Sequence, residues 1–136
     1  MTAESIDVFI SHSWRYHDDW IELANLFDEY KKTFIRNFSL PWHDPAIEIH
    51  NEKGRELVKK WLEKQVIPAK KFFLLSSVTN IKSALYWIDY EIEIAKKHSI
   101  PIIGLPLRNS DEYTDYVRNF SNKLILWNDL ENMEKL

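Results

Sequence analysis

The chain of 136 residues has no cysteine and only two glycines, Gly54 and Gly104. Without cysteine there can be no disulfide, no thiolate nucleophile and no sulfur-ligated zinc. Without a glycine cluster, neither a phosphate-cradling P-loop nor a dinucleotide fingerprint can be written. Long apolar runs are missing too. The longest, Ile100 to Leu107, is broken by two prolines and is far too short for a bilayer. Met1-Thr2-Ala3-Glu4-Ser5 has no basic region followed by an apolar stretch, so it does not read as a signal peptide. Charge of one sign is also scarce: the net charge is -3, with no block of like residues. That balance argues against binding nucleic acid by phosphate neutralisation. The expectation is one cytoplasmic domain over 1–136, with no membrane partner and no nucleic acid.

What is present is an ordinary globular balance, 45% hydrophobic and 29% charged, with an unusual aromatic load. The order of elements reads as strand and helix in alternation. Ile6 to Ile10 is rich in β-branched and aromatic residues and predicts a first strand, with Asp7 at its entry. Trp20, Leu23, Ala24, Phe27 and Tyr30 recur at intervals of three and four and predict a helix, with Asp18 and Asp19 in its first turn. Phe34 to Leu40 is a weaker strand, closed by Pro41. A second helix starts near Asn51, buries Leu57, Val58, Trp61, Leu62 and Gln65, and stops at Pro68.

Lys71 to Ser76 predicts a third strand, buried on both faces, that ends in hydroxyls. A helix follows from about Ser83 to Lys97, with Leu85, Ile88, Ile92 and Ala95 as its apolar stripe. Ile100 to Gly104 and Leu124 to Trp127 predict two further strands. A short helix lies between them over Asp111 to Phe120, and another starts at Asp129. This alternation with right-handed crossovers predicts an α/β, flavodoxin-like three-layer sandwich, a five-stranded parallel sheet of order 2-1-3-4-5 with helices on both faces.

One carboxylate stands out on that frame. Most helical glutamates are solvated surface charges, but Glu91 borders the apolar stripe beside Trp87, Ile88 and Ala95. Trp87 and Glu91 are four residues apart and share a helix face. They follow a parallel strand, and ligand sites of open α/β folds form at the carboxyl edge of the sheet. Ser11, His12, Ser13 and Trp14 follow the first strand at the same edge. Their hydroxyls and N–H groups can hold ribose or pyrophosphate, while Ser13 is equally placed to cap the first helix. Trp87 reads equally as a stacking contact and as a packing aromatic. Pro41 and Pro45 stiffen the loop that presents Trp42, His43 and Asp44, where Asp44 also suits an Asx turn. His17, His50 and His98 read as surface residues. No pair has the spacing of a helical zinc motif, so no metal is expected.

Three segments together resemble a known superfamily. Asp7-Val8-Phe9-Ile10-Ser11-His12-Ser13-Trp14 is similar to the first strand and loop of Toll/interleukin-1 receptor (TIR) domains. Trp87-Ile88-Asp89-Tyr90-Glu91-Ile92 is similar to their Trp-x-x-x-Glu-[Ile/Leu] helix motif. Asn37 to Pro45 resembles the TIR-like family of the Thoeris antiphage defence protein ThsB, as do Pro101 to Gly104 and Leu126-Trp127-Asn128. The resemblance implies a flavodoxin-like fold, with Glu91 catalytic and the loop of Trp42, His43 and Asp44 flanking the active site. In active members it implies cleavage of NAD, as substrate and not as cofactor, to nicotinamide and an ADP-ribose-derived signal, expected to be cyclic. It further implies self-association on activation and a separate effector protein that the signal switches on.

Three rivals share this fold or its chemistry. A receiver domain needs acidic residues after the first strand and an aspartate ending the third, and Ser11-His12 and Ser76-Ser77 stand there instead. A nucleoside deoxyribosyltransferase-like hydrolase and a non-catalytic TIR-like adaptor both remain open.

Overall fold

The computed structural model describes residues 5–11, 21–23, 25–26, 34–37, 52–79, 85–108 and 110–130. Its centre is a parallel sheet. β1 (Ser5–Ile10) pairs with β2 (Phe34–Asn37) on one side and with β3 (Lys71–Leu75) on the other. β4 (Ile102–Leu105) lies beyond β3, and the two-residue β5 (Lys123–Leu124) lies beyond β4. Hydrogen-bonded neighbours therefore run β2-β1-β3-β4-β5. The expected α/β class with a parallel sheet is what the structure has.

β1, β3 and β4 carry the core because they are apolar on both faces. Val8, Phe9, Ile10 and Phe72 to Leu75 are fully buried, as a sheet covered on both sides requires. Register fixes which residues share a face. Phe9 is level with Phe72, and Phe72 with Ile102. Ser11, Leu74 and Gly104, each two residues further on, therefore point to that same face.

α1 (Glu52–Val66) and α3 (Leu85–Lys97) pack against each other. The Tyr90 hydroxyl of α3 donates to Glu63 Oε1 of α1 at 2.7 Å, and Lys59 lies over the Tyr90 ring. In α1, Leu62, Gln65 and Val66 are buried, whereas Leu57, expected on that face, is 48% exposed. At 3.6 residues per turn Leu57 lies about 140° around the helix from Leu62. The apolar run in the sequence is wider than the face it serves. Val58 and Trp61 fall outside the described side chains. Leu23 of the first predicted helix is fully buried, and Leu26 packs against the core. Trp20, Ala24, Phe27 and Tyr30 lie outside the described residues.

Several boundaries move, each for a local reason. Asp7 is not at the entry of β1 but inside it, only 8% exposed. The third strand stops at Leu75, because Ser76–Thr79 turns at once into a one-turn helix, α2. β4 starts at Ile102, not Ile100, because Pro101 has no N–H for the ladder. The Ile100 N–H instead closes the end of α3 on the Ala95 carbonyl. Ser99 sits there at φ 56°, the left-handed position that helix ends usually give to glycine.

The helix expected over Asp111 to Phe120 is only α4, Asp115–Phe120, capped by the Thr114 side chain on Val117 N. Asp111 itself has φ 54° and cannot belong to it. The last strand is shorter than predicted. Trp127 leaves the sheet for a 3-10 turn over residues 127–130, where its indole N–H donates to the Pro106 carbonyl at 2.9 Å.

Gly104 has a specific reason to be glycine. A Cβ there would lie 2.4 Å from Ser121 Oγ and 2.5 Å from Val117 Cγ1. α4 thus lies directly on the sheet at β4, on the same face as Ser11.

Candidate functional site at the carboxyl edge of the sheet

Ser11 is the first residue beyond β1, and its N–H still donates to the Phe73 carbonyl at 3.0 Å. Its backbone is therefore part of the central sheet. Its side chain points to the face that α3 covers, and there the hydroxyl donates to Glu91 Oε1 at 2.9 Å. Both residues are wholly buried. The pair joins positions 80 residues apart in sequence.

Glu91 reaches this place because α3 is buried over more than one stripe. Trp87, Ile88, Ile92, Ile94 and Ala95 are buried with it. Trp87, one turn earlier, is only 5% exposed and meets the Tyr86 ring edge-on at 4.9 Å. The tryptophan belongs to the buried core cluster.

Burial pushes the Glu91 carboxyl up to about 8, and the Ser11 hydroxyl pulls in the opposite direction. Oε2 has no hydrogen-bond partner among the described residues. A buried polar atom left in that state costs roughly 1–3 kcal/mol. Natural cores rarely carry such atoms without a reason, and a place kept for a ligand is one. Chemically, the arrangement is a fully buried carboxyl group on a helix, with one oxygen held by a hydroxyl and the other without a partner among the described residues.

A second group of hydroxyls lines the next stretch of the same edge; Ser76 is the expected hydroxyl at the end of the third strand, and its partners Thr79 and Thr114 are not among the residues that the sequence pattern singles out. Ser76 Oγ donates to the Leu105 carbonyl at the end of β4, 2.7 Å away, and accepts from Thr114 N at 3.3 Å. Thr79 Oγ1 donates to the Ser76 carbonyl at 3.0 Å and shares a hydrogen bond with Thr114 Oγ1 at 2.7 Å. These contacts tie α2, β4 and the start of α4 together. Thr114 just before Asp115 was the available signal, as a helix cap. Nearby, the Tyr116 hydroxyl of α4 donates to Asp89 of α3. Burial, together with that bond, raises the phenol well above its ordinary range.

Of the residues singled out in the sequence, Ser11, Glu91 and Trp87 are therefore placed, and the first two are in direct contact. His12, Ser13, Trp14, Trp42, His43 and Asp44 lie outside the described residues. No helix among the described residues is long and apolar enough to cross a membrane.

Comparison with known proteins adds family and fold. Residues 9–112 match the family model of the Thoeris protein ThsB, TIR-like domain. No curated protein matches the chain. Among solved structures, a conserved protein from Enterococcus faecalis V583 superimposes with a TM-score of 0.60 at 11% identity, over 96% of this chain and 98% of that one. The CMP N-glycosidase BcmB of Clostridium botulinum superimposes with a TM-score of 0.51 at 16% identity, over 96% and 99%. At such identities the likeness is one of fold.

Proposed function

The chain belongs to the TIR-like domain family of the Thoeris protein ThsB, and from that premise we propose that it cleaves NAD between nicotinamide and ribose. The observation that carries this reading is the buried Ser11–Glu91 pair at the carboxyl edge of the sheet. Nicotinamide is already a cationic leaving group, so its departure needs little acid assistance. What needs help is the oxocarbenium-like ribose left behind. A carboxylate fixed in a water-poor site stabilises that charge and accepts hydrogen bonds from ribose hydroxyls. The raised position of the Glu91 carboxyl fits a site that is closed until substrate arrives. A pyridinium cation beside it favours the ionised form, so binding and ionisation go together.

In this proposal the ADP-ribosyl group is released as a cyclic or related signal that activates a separate effector in antiphage defence. The reaction takes place in the cytoplasm, on the full flavodoxin-like frame of five strands with helices on both faces. Self-association through the loop of Trp42, His43 and Asp44 completes the site, with Ser13, Trp14 and His12 beside the substrate. No metal and no resident cofactor take part.

The test is nicotinamide release from NAD by the purified chain at high protein concentration, with Glu91→Gln as the control. Release by the wild type and a loss of ~10²-fold or more in a folded Gln variant support the reading. Equal release by both removes Glu91 from the chemistry. The fold shared with a CMP N-glycosidase favours a second reading, a nucleotide or deoxynucleoside N-glycosidase built on the same carboxyl group. Base release from CMP or deoxynucleosides in place of NAD would establish it. A chain that releases nothing from any of them, even when assembled, is an adaptor.

A further inference from the structure

We infer that Ser11 is a positioning residue for Glu91: it fixes one carboxyl oxygen from the sheet, so that the other is the oxygen presented to substrate. The inference rests on the reading of Glu91 as the reacting carboxyl group and adds a role for its partner that contact with substrate would not provide.

Three observations carry it. First, the Ser11 hydroxyl is fully buried and already donates to Glu91 Oε1 at 2.9 Å. A hydroxyl has one proton to donate, so this one is not available to a phosphate or a ribose while the bond lasts. Second, the bond connects two rigid elements. The Ser11 backbone is pinned to Phe73 in the middle of the sheet, and Glu91 lies on a helix whose neighbours on the same face are all buried. A side chain anchored in this way has little freedom to follow a moving substrate, and much capacity to hold a rotamer. Third, the bond uses one carboxyl oxygen and leaves Oε2 without a partner among the described residues. The two oxygens are thus inequivalent before any ligand enters.

Preorganisation of this kind matters because a reacting group must be held within about half an ångström of its productive position. A glutamate has three side-chain torsions, and a buried glutamate with no donor would be free to rotate its carboxyl plane. Removing the Ser11 hydroxyl leaves the carboxyl group with burial alone, which favours its neutral form. Tyr116 of α4 is a titratable group that senses the Glu91 charge. Burial, and after it the hydrogen bond to Asp89, hold it neutral, so it does not titrate in the range of interest.

The test compares wild type with Ser11→Ala and Ser11→Thr, each checked for folding by circular dichroism and melting. The first measurement needs no activity: titration of the Glu91 side-chain carboxyl carbon by NMR in protein labelled at glutamate. Ser11→Ala is expected to move its midpoint upward by about one pH unit, the size of one lost hydrogen bond to a charged group. Ser11→Thr, which keeps the hydroxyl, is expected to stay near wild type. The second measurement is the pH profile of nicotinamide release. Its acid limb should move up with the NMR midpoint in the Ala variant, giving about tenfold lower kcat/KM on that limb and recovery at higher pH. The Thr variant should restore it.

A Glu91 midpoint unchanged in folded Ser11→Ala would overturn the positioning role, whatever the activity. If instead no variant, wild type included, cleaves NAD but the midpoint moves as expected, the proposed reaction fails and the link between Ser11 and Glu91 stands. If Ser11→Ala does not fold, Ser11→Cys supplies the same comparison with a weaker donor. A Cys midpoint equal to that of wild type would count against the role.

Discussion

Replacing Glu91 by glutamine should make this protein more stable at neutral and alkaline pH, and the gain should depend on pH in a defined way. The carboxyl group titrates at about 8 in the folded chain and near its ordinary 4.5 once exposed. Between these values the folded state keeps a proton that the unfolded state gives up. Stability contributed by the neutral carboxyl is therefore complete below pH 4.5, declines as pH rises, and is lost once pH passes about 8. Each pH unit in that window costs ~1.4 kcal/mol, so at pH 7 the ionisable side chain costs the fold on the order of 3 kcal/mol. Glutamine has nearly the same volume, accepts the Ser11 hydroxyl in the same way, and does not ionise. The variant should match wild type near pH 4.5 and exceed it by ~3 kcal/mol at pH 7, about 10 °C in melting temperature for a domain of this size. Urea denaturation of both proteins at half-unit intervals from pH 4.5 to 8.5 measures this. Every other carboxyl group is common to the two proteins and cancels in the difference. A difference that stays flat across this range would refute the argument, since Glu91 would then be ionised in the fold and stabilised by charges or water.

Other features of the fold give further tests. Gly104→Ala should destabilise by ~1–3 kcal/mol, because the new methyl meets α4 at Val117 and Ser121 and crowds the sheet; a melting curve unchanged from wild type would mean that α4 moves away at no cost. Ser99→Gly should stabilise by up to ~1 kcal/mol by relieving the left-handed backbone at the end of α3, read as a rise in melting temperature. Ser76→Ala should cost ~1–3 kcal/mol, since it leaves the Leu105 carbonyl and Thr114 N–H without their shared partner. Hydrogen exchange should accelerate locally at the start of α4, and unchanged protection there would show water filling the gap.

Much of the frame was legible in the sequence because its elements are short and extreme. Lys71 to Leu75 is apolar enough to be only a buried strand, and Ile88, Ile92 and Ala95 mark one helix face without ambiguity. Errors fell where one residue reverses a local trend. Pro101 delays β4, Asp111 excludes the first turn of the helix expected over Asp111 to Phe120, and Leu57 is an apolar residue in a run that turns away from the core. Glu91 was legible as unusual from its neighbours alone. That Ser11 is its partner was not, because the hydrogen bond is set by how far α3 slides along the sheet, and no local pattern encodes that distance. The grouping of Ser76 with Thr79 and Thr114 was missed for the same reason. Its members are ordinary hydroxyls in sequence and become a group only when three elements meet.

The span between Ser11 and Glu91 also bears on when the site can exist. Closing a loop of 80 residues carries an entropic cost, and the contact needs β1 paired with β3 and α3 laid against the sheet at the same time. A fragment that ends before α3 has the serine without its glutamate partner, whatever its local helix content. Proteolytic removal of the first strand would have the same effect from the other end. The hydrogen bond therefore makes the candidate chemistry conditional on the integrity of the whole sheet, so that fragments of the protein carry the motif without the site.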